Sequence, residues 1–318
     1  MTSVLPVIEP VAHDKKIFCF GFGYTASFLA EKLTACGWQI SGTTTDPEKR
    51  DFLKKNGVRS WLFDRTHGIP DPFSTFADIT HVLLSVPPDG DGDPVFGVHG
   101  MDLSALKNLE WVGYLSTTGV YGDQNGGWVD EATPPAPDSR RGSLRLKAEQ
   151  QWQSLLLHEG LPLHIFRLSG IYGPGRSAID AVRSGTARRI SKPGHAFNRI
   201  HVEDIVQTLI ASMNKPKPGS IYNLADDEPS PSHEVIQFAC NLIGLESPPL
   251  TPFDQAELPP IVRSFYKDNK RIRNDKIKNE LGVQLIYPDY RSGLQSCLDV
   301  EKEAHDLLRF PSENAIPA

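Results

Sequence analysis

Ile17-Phe18-Cys19-Phe20-Gly21-Phe22-Gly23-Tyr24-Thr25-Ala26 decides how the chain is read. Four apolar residues predict a buried strand, and Ala26, Leu29, Ala30 and Leu33 share one face of a helix that ends at Gly37. Between them lies a tight glycine turn. Gly21 allows the sharp reversal, and Gly23 lets backbone approach a pyrophosphate seated on the helix N-terminus. Ala26 stands where a third glycine would allow close helix–strand packing. Tyr24 and Thr25 complete this candidate cradle for a dinucleotide.

Working outward, strand and helix patterns alternate. Trp38–Thr44 predicts a second strand, followed by Thr44, Thr45 and Asp46. Asp46 lies twenty positions beyond Ala26, where an acid can hold a ribose 2′-hydroxyl and favour NAD. Thr43, Thr44, Thr45, Lys49 and Arg50 can instead surround a 2′-phosphate and favour NADP. Asp46-Pro47 reads equally well as a helix cap, so the choice stays open. A third strand at Ser60–Phe63 leads to Asp64, a candidate for the adenine edge or a turn residue. A fourth, His81–Val86, places Ser85, Val86 and Pro87 at the crevice side of a sheet. Strands at Trp111–Leu115, Leu163–Leu168 and Ser220–Leu224 and a helix at Ser143–His158 complete the alternation, which predicts an α/β fold with a doubly wound parallel sheet.

Composition narrows the classes. The 318 residues are 39% hydrophobic and 23% charged, with net charge −6 and pI about 5.9. This is a globular composition, and its acidic balance argues against nucleic acid as the main partner. Cys19, Cys36, Cys240 and Cys297 are scattered without a C-x-x-C pair, as expected of reduced thiols in a cytoplasmic protein. Met1–Lys16 lacks a signal-peptide pattern, no apolar run is long enough to span a membrane, and the tail after Phe310 is expected to fray. Asp89–Pro94 starts like a calcium loop but has Pro94 and Gly100 at positions six and twelve, so no metal is expected.

Five segments in order resemble the extended short-chain dehydrogenase/reductase superfamily, in its NAD-dependent epimerase/dehydratase branch. They are Gly21–Ala26, Ser116-Thr117-Thr118-Gly119-Val120-Tyr121-Gly122, Lys147-Ala148-Glu149, Arg167–Gly175 and His201-Val202-Glu203-Asp204. The resemblance implies a Rossmann-type domain over 1–170, with 200–226 returning to it. It also implies a smaller, discontinuous substrate domain from 171–199 and 227–318. The bound cofactor would be NAD or NADP, and the activity that of an oxidoreductase or epimerase on a small polar substrate. Thr117 takes the family's hydroxyl position and Lys147 its lysine position, which also contacts the nicotinamide ribose.

Four residues before Lys147, where the family has its proton-exchanging tyrosine, stands Ser143. A serine hydroxyl is a far weaker acid than a phenol, so an adjacent ammonium cannot make it a general base. Tyr121 and Tyr172 have ordinary places in the family motifs. The closest resemblance is to the YeeZ-like group, through Thr117–Gly122, the weakened tyrosine motif and Tyr287–Leu294. A non-catalytic NAD(P)-binding sensor is the alternative reading. Arg176 and Arg199, with His195, Asn198 and His201, form the candidate substrate set, suited to an anionic group. Lys267, Lys270, Arg271, Arg273, Lys276 and Lys278 read as a solvated helix face. The expected partners are a small-molecule substrate, without nucleic acid or membrane, and the pattern admits a homodimer.

Overall fold

The computed structural model describes residues 15–309. The signal-peptide and frayed-tail readings rest on residues 1–14 and 310–318, outside the described residues. The strands are β1 (Lys16–Phe20), β2 (Gln39–Thr44), β3 (Arg59–Leu62), β4 (His81–Leu84), β5 (Trp111–Thr117), β6 (Trp128–Val129), β7 (Leu163–Leu168), β8 (Gly170–Tyr172), β9 (Arg189–Ser191), β10 (Arg199–His201), β11 (Ile221–Leu224), β12 (Leu250–Pro252) and β13 (Arg271–Ile272). The helices are α1 (Tyr24–Ala35), α2 (Pro47–Lys55), α3 (Pro72–Phe76), α4 (Pro94–Ser104), α5 (Arg140–Glu159), α6 (Ala178–Arg183), α7 (Val202–Asn214), α8 (Ser232–Ile243), α9 (Pro260–Phe265), α10 (Asp275–Leu281) and α11 (Tyr290–Arg309).

Seven strands form one parallel sheet in the order β11-β7-β5-β4-β1-β2-β3. Alternation sorts each strand's side chains to the two faces. Ile17 and Cys19 meet Leu29 and Leu33 of α1 and Ile205 and Leu209 of α7. Phe18 and Phe20 meet Phe76 of α3 and join a core with Val95 of α4 and Trp152 of α5. Helices therefore cover both faces, and the apolar strands are the consequence of burial on two sides. From β1 the chain winds outward through β2 and β3, then returns to β4 and winds the other way. The strand order thus reverses between β1 and β4, the position at which sheets of this kind open a crevice at the strands' C-terminal ends.

A separate core joins α6, α8 and α11 through Ile179, Val235, Ala239, Leu294 and Cys297, with Tyr172 at its edge. Short parallel pairs, β8 with β10 and β9 with β12, tie this part together.

The basic run does not form one solvated helix face. Only Asp275–Leu281 is helical. Arg271 and Ile272 instead pair with Trp128 and Val129. Lys270 is buried and donates Nζ to Gly122 O at 2.8 Å, and Arg271 donates to Gly126 O. The backbone carbonyls of the 122–127 loop need donors, and this segment supplies them.

Candidate functional site

The glycine turn is held from three sides. Gly21 sits at φ +82° and donates its N–H to Thr43 Oγ1 at 2.9 Å. Phe22 N donates to Thr43 O, and Gly23 N to Gly21 O. Ser85 Oγ lies 2.6 Å from Gly21 O and 3.0 Å from Phe20 O. A Cβ on Gly21 would come within 3.0 Å of Ser85 Oγ and 3.2 Å of Val86 N, so this position needs glycine for both conformation and space. Gly23 differs: it is exposed, and a Cβ there would meet nothing closer than 3.9 Å. It is the N-cap of α1 and supplies no side-chain acceptor. The first N–H groups of α1, on Tyr24, Thr25 and Ala26, therefore face the crevice without a capping side chain. Ala26 is buried in the core beneath them.

Tyr24 ties this turn to the smaller core. Its hydroxyl donates to Pro174 O at 2.9 Å, and Arg176 lies over its ring at 5.6 Å. Burial pushes the Tyr24 phenol well above its usual range, so it stays protonated.

At the end of β2, Asp46 caps α2 through one oxygen, accepting from Glu48 N at 2.9 Å and Lys49 N at 3.3 Å. Thr44 Oγ1 accepts from Asp46 N, and Thr45 is exposed beside it. Asp64 forms a turn: its Oδ1 accepts from Thr66 Oγ1 and Thr66 N, each at 2.7 Å, and from His67 N at 2.9 Å, and these bonds, the Thr66 hydroxyl's first, hold its carboxyl well below the usual range. Asp46 Oδ2 is the oxygen not used in that cap. Ser85, Val86 and Pro87 follow β4, and Ser85 and Val86 border Gly21. Thus the structure brings Gly21–Ala26, Thr44–Asp46 and Ser85–Pro87 to one rim.

Thr117 ends β5, and its Oγ1 accepts from Gly119 N at 3.1 Å, a bond that does not use the hydroxyl proton. Ser143 and Lys147 lie on α5 and both are exposed. Ser143 spends its proton on Ser139 O at 3.1 Å. No tyrosine replaces it within the motifs. Tyr121 is buried and donates to Asn223 Oδ1 at 2.8 Å, and Tyr172 is buried with its hydroxyl 3.4 Å from Asp289 O. Desolvation raises both phenols and so opposes phenolate formation.

Of the candidate substrate set, Arg176 is exposed and Arg199 half-buried. Arg199 donates Nη1 to Phe197 O and Ser230 O at 3.1 and 3.0 Å. The other three serve the fold. His195 contacts Asp268 O, Asn198 brackets Lys270 O and Ile272 N, and His201 caps α7 through Glu203 N. Burial pushes the His195 and His201 imidazoles down to about 4, so they are neutral at pH 7.

Beneath Thr117 lies a buried network that motif reading passed over. Glu149 accepts from Ser116 Oγ and takes both Arg167 Nε and Nη2, at 3.1 and 2.7 Å. Arg167 also lies over the Tyr121 ring at 4.8 Å. The network fixes α5, which carries Ser143 and Lys147, against β5 and β7. A sequence signal existed: Arg167 interrupts an apolar strand, and a buried charge demands a partner. Among the described residues no cluster of His, Cys, Asp and Glu could hold a metal ion, and no helix is long and apolar enough to cross a membrane. In the calcium-like loop, Asp89 pairs with Arg65 and Asp93 caps α4.

No family model matches the chain. It is 30% identical over 288 residues to Protein YeeZ of Escherichia coli K12, covering 86% of this chain and 97% of that protein. A functionally unknown conserved protein from Silicibacter pomeroyi DSS has a solved structure that is 48% identical, with TM-score 0.84 over 90% of this chain and 99% of that one. The dTDP-glucose 4,6-dehydratase of Bacillus anthracis, crystallised with NAD, shares the fold at 16% identity and TM-score 0.73, over 92% of this chain and 98% of that one. The chain belongs to the YeeZ-like group of NAD-dependent epimerase/dehydratases, within the extended short-chain dehydrogenase/reductase superfamily.

Proposed function

We propose that the chain binds NAD or NADP across the C-terminal ends of β1, β2, β4 and β5. There it would act as an atypical oxidoreductase or epimerase on a small polar substrate. The observation that carries this reading is the uncapped start of α1 behind Gly23. The first N–H groups of α1 have no capping side chain, the Cβ direction of Gly23 is open, and a phosphate is the ligand such an arrangement suits. The Bacillus anthracis neighbour of the same fold is crystallised with NAD. The nicotinamide ring, when bound, supplies a hydride acceptor or donor.

This chain's residues have separable tasks under that reading. Tyr24–Ala26 N–H groups hold the pyrophosphate, while Ser85 and Thr43 keep the turn in shape. Thr44–Asp46 lie beside the adenosine ribose. Lys147 offers an ammonium to the ribose hydroxyls, and Thr117 donates its hydroxyl to the substrate oxygen. Arg176 and Arg199 suit an anionic substrate group. Ser143 supplies no proton relay, so proton exchange falls to water in the exposed space that Ser143 leaves. Residues 171–199 and 227–309 then form the substrate side and the sheet the cofactor side. A substrate screen followed at the nicotinamide absorbance tests this. Turnover should appear and fall by about 10²-fold or more in Thr117→Val, as when an oriented donor is removed. Turnover untouched by Thr117→Val would remove that residue from the chemistry.

A further inference from the structure

Arg65, just past β3, reaches across to the loop after β4. Its Nε donates to Asp89 Oδ2 at 2.8 Å, and its Nη2 donates to Asp89 Oδ1 at 2.6 Å and Gly92 O at 2.9 Å. Yet β3 and β4 are not neighbours: β2 and β1 stand between them. Three strand spacings of about 4.8 Å each make a gap of roughly 14 Å, which this bridge closes at the rim. Both ends are preset. Asp64 locks the turn that carries Arg65, through Thr66 N and His67 N. Asp89 and Gly92 exchange both backbone hydrogen bonds, and Asp93 N is held by Gln151 Oε1 of α5 at 3.1 Å. The guanidinium also rests against α4, where a Cβ on Gly97 would lie 3.0 Å from Nη1. The pair is partly exposed, with side-chain accessibilities of 30% and 46%, and such a pair adds little to folding. Its Arg65 anchor lies past β3, on the side of the glycine turn toward β2 and β3. With a pyrophosphate on α1, that side takes the adenosine half of a dinucleotide.

We propose that Arg65 and Asp89 form a clasp across the adenosine half of the bound dinucleotide, holding the loops after β3 and β4 in register and slowing release. The inference rests on the NAD(P) reading, and both residues are positioning residues. The experiment compares wild type with Arg65→Met and Asp89→Asn. It measures affinity and stopped-flow dissociation for NAD, NADP, ADP-ribose and nicotinamide mononucleotide. The expected result is about two- to fivefold weaker binding of the three adenosine-bearing ligands, the range of a partly exposed ion pair, carried by faster dissociation. Nicotinamide mononucleotide should be unaffected, and the thermal midpoint of the free protein should hold within about 1 °C. Unchanged dissociation in both variants overturns the clasp, as does equal weakening for nicotinamide mononucleotide. If wild type binds none of the dinucleotides, the cofactor reading itself fails and the clasp falls with it.

Discussion

Gly23→Asp separates the fold from its proposed ligand. Gly23 already has the extended N-cap conformation, φ −90° and ψ −162°, and its Cβ direction is open. Aspartate is among the best N-cap residues, and its charge suits the positive end of α1. The variant should therefore be more stable by about 0.3–1 kcal/mol. Unfolding entropy is about 2.1 cal/mol/K per residue, so 318 residues give ~0.67 kcal/mol/K, and the midpoint should rise by about 0.5–1.5 °C. Binding should move the opposite way. The new carboxylate takes the N–H groups meant for the pyrophosphate and repels its charge. Losing two charge-assisted hydrogen bonds, at about 1.5–3 kcal/mol each, removes 10²-fold or more of the affinity for NAD(P). Differential scanning calorimetry and isothermal titration on the same preparations read both effects. A stabilised variant that still binds dinucleotide as wild type does would refute the assignment of the pyrophosphate to this turn.

Glu149→Leu should destabilise by about 3–5 kcal/mol because it strands the buried Arg167, and Glu149→Leu/Arg167→Met should recover most of that; equal losses in single and double variants would contradict the pairing. Lys270→Met leaves Gly122 O without its donor and Asp268 without its cation, so trypsin-free limited proteolysis with a Gly/Asn-tolerant protease should cut the 123–127 loop faster, and unchanged cleavage would count against the brace. Stability should peak at about pH 7, where the protons taken up by the four unfolded imidazoles match the one held by the folded Asp226 carboxyl. Below that, His81, His164, His195 and His201, pushed down by burial to about 3–4, must stay neutral when folded, so the unfolded chain takes up more protons and stability falls with acid. Above it, burial raises the Asp226 carboxyl to about 8, so the folded state holds the extra proton and stability falls as pH rises toward 8. Asp226→Asn should flatten that alkaline limb in denaturation series at about pH 7 and 8.5, and an unchanged slope would exclude Asp226 as its source.

The sheet was legible because its signal is local. β1 and β7 are largely apolar runs, one stopped by Gly21 and the other begun after Pro162, and a parallel sheet buried on both faces leaves little choice for Ile17–Phe20 or Leu163–Leu168. The glycine turn was legible for the same reason: Gly21 and Ala26 serve backbone conformation and packing within six residues. Asp46 and Asp64 showed the limit, since one side chain can cap its own helix or turn as readily as it can meet a ligand, and only coordinates show where its oxygens go. The basic run was misread because helical charge periodicity says nothing of what lies opposite. Here the partner was the carbonyl-rich 122–127 loop, about 145 positions away in sequence for Arg271 and Gly126. Glu149–Arg167 and Arg65–Asp89 depend likewise on strand order, which no local pattern encodes.

The central claim is a dinucleotide held by the start of α1. A crystal of the protein soaked with NAD or NADP tests it most directly. The account predicts density for a pyrophosphate against the N–H groups of Tyr24, Thr25 and Ala26, with the nicotinamide end directed to Thr117 and Lys147. A pyrophosphate bound elsewhere, or a glycine turn still empty of nucleotide at saturating concentration, would contradict it.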